Sequence, residues 1–582
     1  MILLALSGKM VPLFRLNLRS LNLKACLMLV VDWIVIAVYF SILAGIVYWS
    51  SKRQESSDDY FLAGRNVGWF AIGASLFASN IGSEHIVGLA GAGATSGTGM
   101  AHWELHAWVM IMLGWVFVPF YYTSGVSTMP EFLERRFGAT TRWILSVISL
   151  SAYVLTKVSV TVYAGALVFK TLLPETFGSP ENAFWVGAFS TVVLTGVYTV
   201  FGGMRAVLYT DTAQAFILLI GSALITWIGL DKLGGWTELQ SFASEDVTKF
   251  ALWRPIDDPD FPWLGILMAS PIIGIWYWCT DQYIVQRTLT AKNLTTARRG
   301  TIWGGFLKIW PVMIFLVPGM IGAALHSKGL IEIPLNQKGE ISGDQVFPTL
   351  VQELLPTGLR GLVVGGMLAA LMSSLSSLFN SSASLFTLDI FKKLKPQSTE
   401  RELVSVGRIA TVVVVGLGLM WIPVMSRLAE NEGLYKYLQS AQGYLAPPIT
   451  AVFLLGLFYR RTTNLAAIAG LSIGFVLGIG KLVLSLLYET PKGEVAKTDW
   501  LTRVADFHFL YSSGVLFAVI VVLVLLVSHL TPAPDPEKIR GLTYDSIDRQ
   551  KVRDSWGAID VVTTVIVLGL TFGIYAYFSF WI

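Results

Sequence analysis

Apolar runs of roughly 20 residues, joined by short polar segments, make up the chain from about residue 32 onwards. At about 1.5 Å of helix rise per residue, such a run crosses a hydrocarbon core about 30 Å thick. The pattern predicts about fourteen spans, near 32–50, 67–92, 100–123, 141–172, 182–202, 205–231, 261–286, 299–325, 346–391, 401–427, 434–458, 463–487, 507–530 and 558–582. A closed barrel is excluded, because stretches such as 515–527 are apolar on every face instead of alternating.

Two spans break the apolar rule. Ala71–Ala92 is interrupted by Ser79, Asn80, Gly82, Ser83, Glu84 and His85, and Ala269–Gln286 by Pro271, Gly274 and the pair Thr280, Asp281. An interrupted membrane helix leaves amides and carbonyls that are tolerated only where they line a cavity or hold a ligand. A hinge is the competing explanation of each break. Each broken span opens a set of five, over about 67–231 and 261–458. The odd number inverts one set relative to the other, so the sequence predicts an all-α polytopic membrane protein with an inverted five-helix repeat.

Composition agrees: 54% of residues are hydrophobic, 14% are charged and the mean hydropathy is +0.63. The net charge of +4 sits in short loops, which speaks against a nucleic-acid partner and for the bilayer as the surrounding phase. Roughly 23 Lys and Arg fall in loops on one side against about 9 on the other, a bias that puts the richer side in the cytoplasm and both chain ends outside. Lys9, Arg15, Arg19 and Lys24 run against it, and translation from Met28 would remove them, so residues 1–30 are set apart as a tail with a misassigned start. The two cysteines, Cys26 and Cys279, make no disulfide framework. No polar connection has room for a soluble catalytic domain, and no nucleophile elbow, phosphate loop or compact metal-ligand cluster is visible, which argues against an enzyme.

Polar residues within spans are costly unless they face a wet or polar interior. Asn80, Glu84, His85, Glu104, His106, Asp211, Asp281, Lys308, Asp389 and Gln439 together supply the donors and acceptors a neutral polyol needs. Singly, each Asn or Gln could equally join two helices, and Asp389 reads as a cytoplasmic cap near Lys392. Ala370, Ser373, Ser374, Ser376 and Ser377 share one stripe at helical spacing. Its oxygens suit a hard monovalent cation, sodium above all, although small residues also let helices approach closely. Asp211 has two readings, an ion pair with Arg205 or a second cation ligand.

At these residues the sequence resembles a known family. DYFLAGRNVGWFAIGASLFASNIGSEHIVGLAGAG from Asp59, VFGGMRAVLYTDTAQ from Val200, WYWCTDQYIVQRTLTAKN from Trp276 and SSLSSLFNSSASLFTLDIF from Ser373 resemble the sodium/solute symporter family, in its sodium/glucose cotransporter branch, from about residue 32 to 582. The resemblance implies the LeuT-type fold and the carriage of sodium with a small neutral sugar. It implies sodium held by the carbonyls of Ala78, Ile81 and Ala370 and the hydroxyls of Ser373 and Ser374, and a second sodium near Asp211, Ser373, Ser376 and Ser377. For sugar it implies Asn80, His85, Glu104, Lys308 and Gln439 as hydrogen-bond partners, with Tyr277 as inner gate beside Trp278. Glu84 departs from the animal pattern, and Gly274 and Ala107 replace polar contacts of a bacterial galactose carrier, which leaves the substrate open between a hexose and myo-inositol or another polyol. A sugar-sensing receptor of the same fold is the alternative to a carrier. Short loops and a trimmed tail favour a bacterial inner membrane.

Overall fold

A backbone in hydrocarbon must satisfy its own amides and carbonyls, and the long apolar runs do so as helices. The computed structural model describes residues 30–51, 56–173, 175–336, 339–432, 434–488, 490 and 499–582, without the side chains of 51, 83–84, 155–156, 172, 175, 201, 421 and 424–437. The expected start at Met28 and the charges before it lie outside the described residues. Among those residues the structure is helical, with isolated β-bridges such as Val67 with Ala291 in place of strands.

Twelve stretches among the described residues are long and apolar enough to cross a membrane. One of them, His85–Ser124, runs through two successive helical paths, and the helical stretch 139–172 is a further path, in keeping with the about fourteen expected. The peripheral helices show what surrounds them. On Phe509–Leu530, Gly514, Ile520, Val524 and Ser528 are buried while Val515, Val519, Val522 and Leu526 are exposed, an apolar outer face that belongs in lipid.

The first broken span is helical at Trp69–Asn80 and again at Ser83–Ser96, with Ile81 (φ −91°, ψ 80°) and the extended Gly82 between them. The second runs through Trp263–Ile275 and a π-turn at Trp276–Thr280, breaks at Asp281 (φ −81°, ψ 126°) and resumes at Gln282–Leu289. Asp281 caps the second half, accepting from the Tyr283 amide at 3.2 Å, so the break falls at the cap and Pro271 stays inside a continuous helix.

The expected spans at 182–202 and 205–231 are both present within Pro180–Leu233, as Pro180–Val200 and Gly202–Leu233, which meet at a sharp kink at Gly203, whose φ of 58° needs a glycine. One boundary differs from expectation: the single span at 346–391 is two helices, Gly343–Leu354 and Leu359–Ser384. The serine-bearing Leu359–Ser384 packs against Pro180–Leu233 and contacts Trp69–Asn80, while Leu294–Lys308 lies along Trp69–Asn80 from another side. The first break is therefore enclosed by the helices that carry Asp211, the serines and Lys308.

Candidate functional site

Lys308 ends the helix Leu294–Lys308 with its ammonium almost fully buried. It reaches Glu104 Oε2 at 2.6 Å and Asn80 Oδ1 at 2.5 Å, so one cation is satisfied by a carboxylate from one span and an amide at the first break. Asn80 Nδ2 donates to the Tyr277 hydroxyl at 3.1 Å and lies 3.4 Å from His85 Nε2. The Lys308 ammonium also stands 5.7 Å from the centre of the Trp278 ring. These contacts tie the two breaks together, because Asn80 belongs to the first and Tyr277 to the second.

The same residues wall a narrow polar cavity of about 30 Å³. Asn80, His85, Glu104, Tyr277, Trp278, Lys308 and Gln439, the substrate residues expected from sequence, all line it. The Gln439 carbonyl oxygen is buried without a hydrogen-bond partner among the described residues, an acceptor held ready for a ligand. Because Lys308 and Glu104 cancel, the cavity offers donors and acceptors without net charge from that pair, as a neutral polar guest requires. His106, one of the polar span residues, lines it too, as do Trp103 and Gln442, which the sequence did not single out. The signal for Gln442 was present, since it lies one turn from Gln439 on the same helix face.

Tyr277, His85 and Gln442 also border a second cavity of about 20 Å³, lined further by Lys157, Thr161 and Tyr283. There Lys157 pairs with Asp281 at the second break, and the Tyr153 hydroxyl donates to the same carboxylate. Lys157 is a further lining residue the sequence did not single out.

The serine stripe meets the first break directly. Ser374 Oγ donates to the Ser79 carbonyl at 3.3 Å, a carbonyl in the last turn before the break, between Ala78 and Asn80 in the chain. The Tyr283 hydroxyl donates to the same oxygen. Ala370, one turn earlier on the serine helix, is buried. Ser373 turns to Asp211 and donates to its Oδ1, while Ser75 and Ser79 donate to Oδ2 at 2.6 and 3.0 Å. Ser377 joins through Ser79, hydroxyl to hydroxyl at 3.3 Å. Ser376 does not reach Asp211 and donates to the Ser373 carbonyl of its own helix at 2.9 Å.

Asp211 has no pairing with Arg205, whose guanidinium stacks over Trp49. Its ionic partner is the fully buried Arg287, 3.8 Å from Oδ2, which also donates to Ser75 at 3.0 Å and to Ser377. Asp389 likewise is no cap beside Lys392. It is buried, bonded by Arg142 Nε at 2.7 Å and by the Thr128 hydroxyl at 2.8 Å.

A polar cavity between two broken helices, with an oxygen-rich cluster where a third helix crosses one of the breaks, defines a secondary transporter of the LeuT-type fold. The chain belongs to the sodium:solute symporter family, whose model matches residues 60–474. It is 39% identical over 559 residues to sodium/glucose cotransporter 4 of Danio rerio, covering 90% of this chain and 83% of that protein. It is 38% identical to the human sodium/myo-inositol cotransporter, covering 90% of this chain and 76% of that protein. Among solved structures, a Na+-coupled sialic acid symporter in a substrate-bound outward-open state shares the fold with a TM-score of 0.71 at 22% identity, covering 87% of this chain and 99% of that one. A nucleobase-cation-symport-1 family transporter shares it with a TM-score of 0.52 at 14% identity, covering 84% and 99%. The protein is thus a multi-pass membrane carrier, not an enzyme, and sodium is its co-transported ion.

Proposed function

We propose that the chain couples inward sodium flux to uptake of a neutral hexose of the glucose or galactose type. The observation that carries this reading is the Lys308, Glu104 and Asn80 cluster in the cavity: paired charges with a shared amide, beside the aromatic Trp278, suit a polyhydroxylated ring that has one apolar face. The sodium/glucose cotransporters among its relatives support the same choice. Myo-inositol is a second reading, favoured by nearly equal identity to a sodium/myo-inositol cotransporter. Asn80, His85, Glu104, Lys308 and Gln439 bind hydroxyls, and Tyr277 beside Trp278 closes the inner side.

Sodium is held by the carbonyls of Ala78, Ile81 and Ala370 with the Ser373 and Ser374 hydroxyls. A second ion lies near Asp211, Ser373, Ser376 and Ser377. Both ligands favour the conformer in which the first break is pinned to the serine stripe, and rocking of the repeats at about 67–231 and 261–458 then opens the site inward. One sodium falling through about 100 mV supplies ~2.3 kcal/mol and a tenfold gradient adds about 1.4 kcal/mol. The short loops fit a bacterial inner-membrane carrier.

The test is uptake of labelled glucose, galactose and myo-inositol into proteoliposomes under an inward sodium gradient, with potassium as control. Sodium-driven accumulation of one of them, lost in Ser374→Ala, is expected. Binding without accumulation would favour a sensor of the same fold.

A further inference from the structure

His106 lies near the start of the span that carries Glu104, and its ring lines the proposed substrate cavity while almost fully buried. Nε2 is 2.7 Å from the Ser270 hydroxyl on the second broken helix. A histidine satisfied in this way could serve packing alone, but two observations point past that. Nδ1 has no hydrogen-bond partner in the protein among the described residues, although imidazole carries a polar atom on each side. The residue facing the ring is Gly274, also on the cavity wall, where a Cβ would stand 3.0 Å from His106 Cε1 and 3.2 Å from Nδ1. A side chain at 274 would crowd the imidazole, so the glycine admits the ring into the cavity and the Ser270 hydroxyl fixes its plane.

We propose that His106 is a substrate-binding residue, its Nδ1 engaging one hydroxyl of the carried sugar or polyol, and that Gly274 is the specificity position that makes room for it. This rests on the reading of the cavity as a sugar or polyol site. Because the anchored Nε2 leaves Nδ1 only one direction in which to bond, the residue discriminates by the position of a hydroxyl, not by overall size.

The test uses wild type, His106→Gln, His106→Ala and Gly274→Ala in uptake assays under an inward sodium gradient, with the transported substrate and its series of monodeoxy analogues. In wild type one analogue should show KM raised about tenfold over the parent, the loss of one hydrogen bond. In His106→Ala the parent should weaken to the level of that analogue, which itself should not weaken further. Gly274→Ala should raise the parent KM in the wild-type background and add nothing in the His106→Ala background, since the two changes act on one contact. Half-saturation by sodium should stay within about twofold throughout, and His106→Gln serves the same comparison if the alanine variant does not fold. If wild type carries a sugar or polyol and every analogue loses the same factor in wild type and variant, or the two substitutions add independently, His106 is a packing residue and the proposal falls. If wild type carries none of these compounds, the cavity reading falls and this proposal with it.

Discussion

A buried charge is tolerated only with its partner, and Lys308 makes that rule testable. Lys308 and Glu104 are each 1% exposed and 2.6 Å apart, so neutralising one leaves the other a buried charge without this counter-ion. Glu104→Gln is expected to lower stability by about 3–5 kcal/mol, seen as a drop in melting temperature of the purified protein, and adding Lys308→Met should recover most of it. Uptake should be lost in both, because the cavity has lost its polar wall. Equal melting of Glu104→Gln and wild type would mean that the pair is hydrated in solution. Residue types in the spans were legible because polar groups in apolar runs are conspicuous, and the substrate residues that the family resemblance implied share one cavity. Partners were less so. Asp211 pairs with Arg287, 76 positions away in the chain, and not with the nearby Arg205, since which helices face each other decides the pairing and no local pattern encodes it. Asp389 illustrates the same limit: chain proximity suggested Lys392, whereas Arg142 arrives from a different span.

Elements were read best where they break their own rules. Both interrupted spans were visible because Ser, Asn, Gly and Asp stand where lipid-facing helices would carry aliphatic residues. The separation of Gly343–Leu354 from Leu359–Ser384 was not, because it depends on backbone direction and not on hydropathy. Close approach of the first broken helix to its neighbour is a further element-scale property. A Cβ at Gly319, in Val317–Ser327, would lie 1.9 Å from the Ala90 carbonyl oxygen of Ser83–Ser96, backbone that has no rotamer with which to yield. Gly319→Ala should therefore cost about 3 kcal/mol, at the upper end of overpacking, and lower both melting temperature and membrane yield. Gly416→Ala is the matched control, because no atom lies within 4 Å of its added methyl and alanine is the better helix former. Similar melting of the two variants would show that the two helices separate freely, at odds with their packing here.

For the molecule as a whole, the proposed ion cluster and the proposed substrate cavity meet in adjacent residues. Ser79 offers its carbonyl to Ser374, and Asn80, the next residue, offers its amide to Lys308 and Tyr277. An ion that orders the break must thereby restrict Asn80, so the two ligands share a conformer without touching each other. Linkage then fixes the form of the result: sodium must tighten substrate binding by the same factor by which substrate tightens sodium binding. Equilibrium binding to the purified carrier, with potassium replacing sodium at constant ionic strength, should give two equal ratios of about 5- to 150-fold. Ser374→Ala should bring both ratios towards one while leaving the sodium-free substrate affinity in place, because Ser374 touches the break and not the cavity. A variant that lost sodium-free affinity as well would place Ser374 in the support of the cavity itself. A wild type with both ratios near one would mean that ion and substrate bind independently, and coupling would then have to arise in the rates of rocking and not in the occupancy of the site.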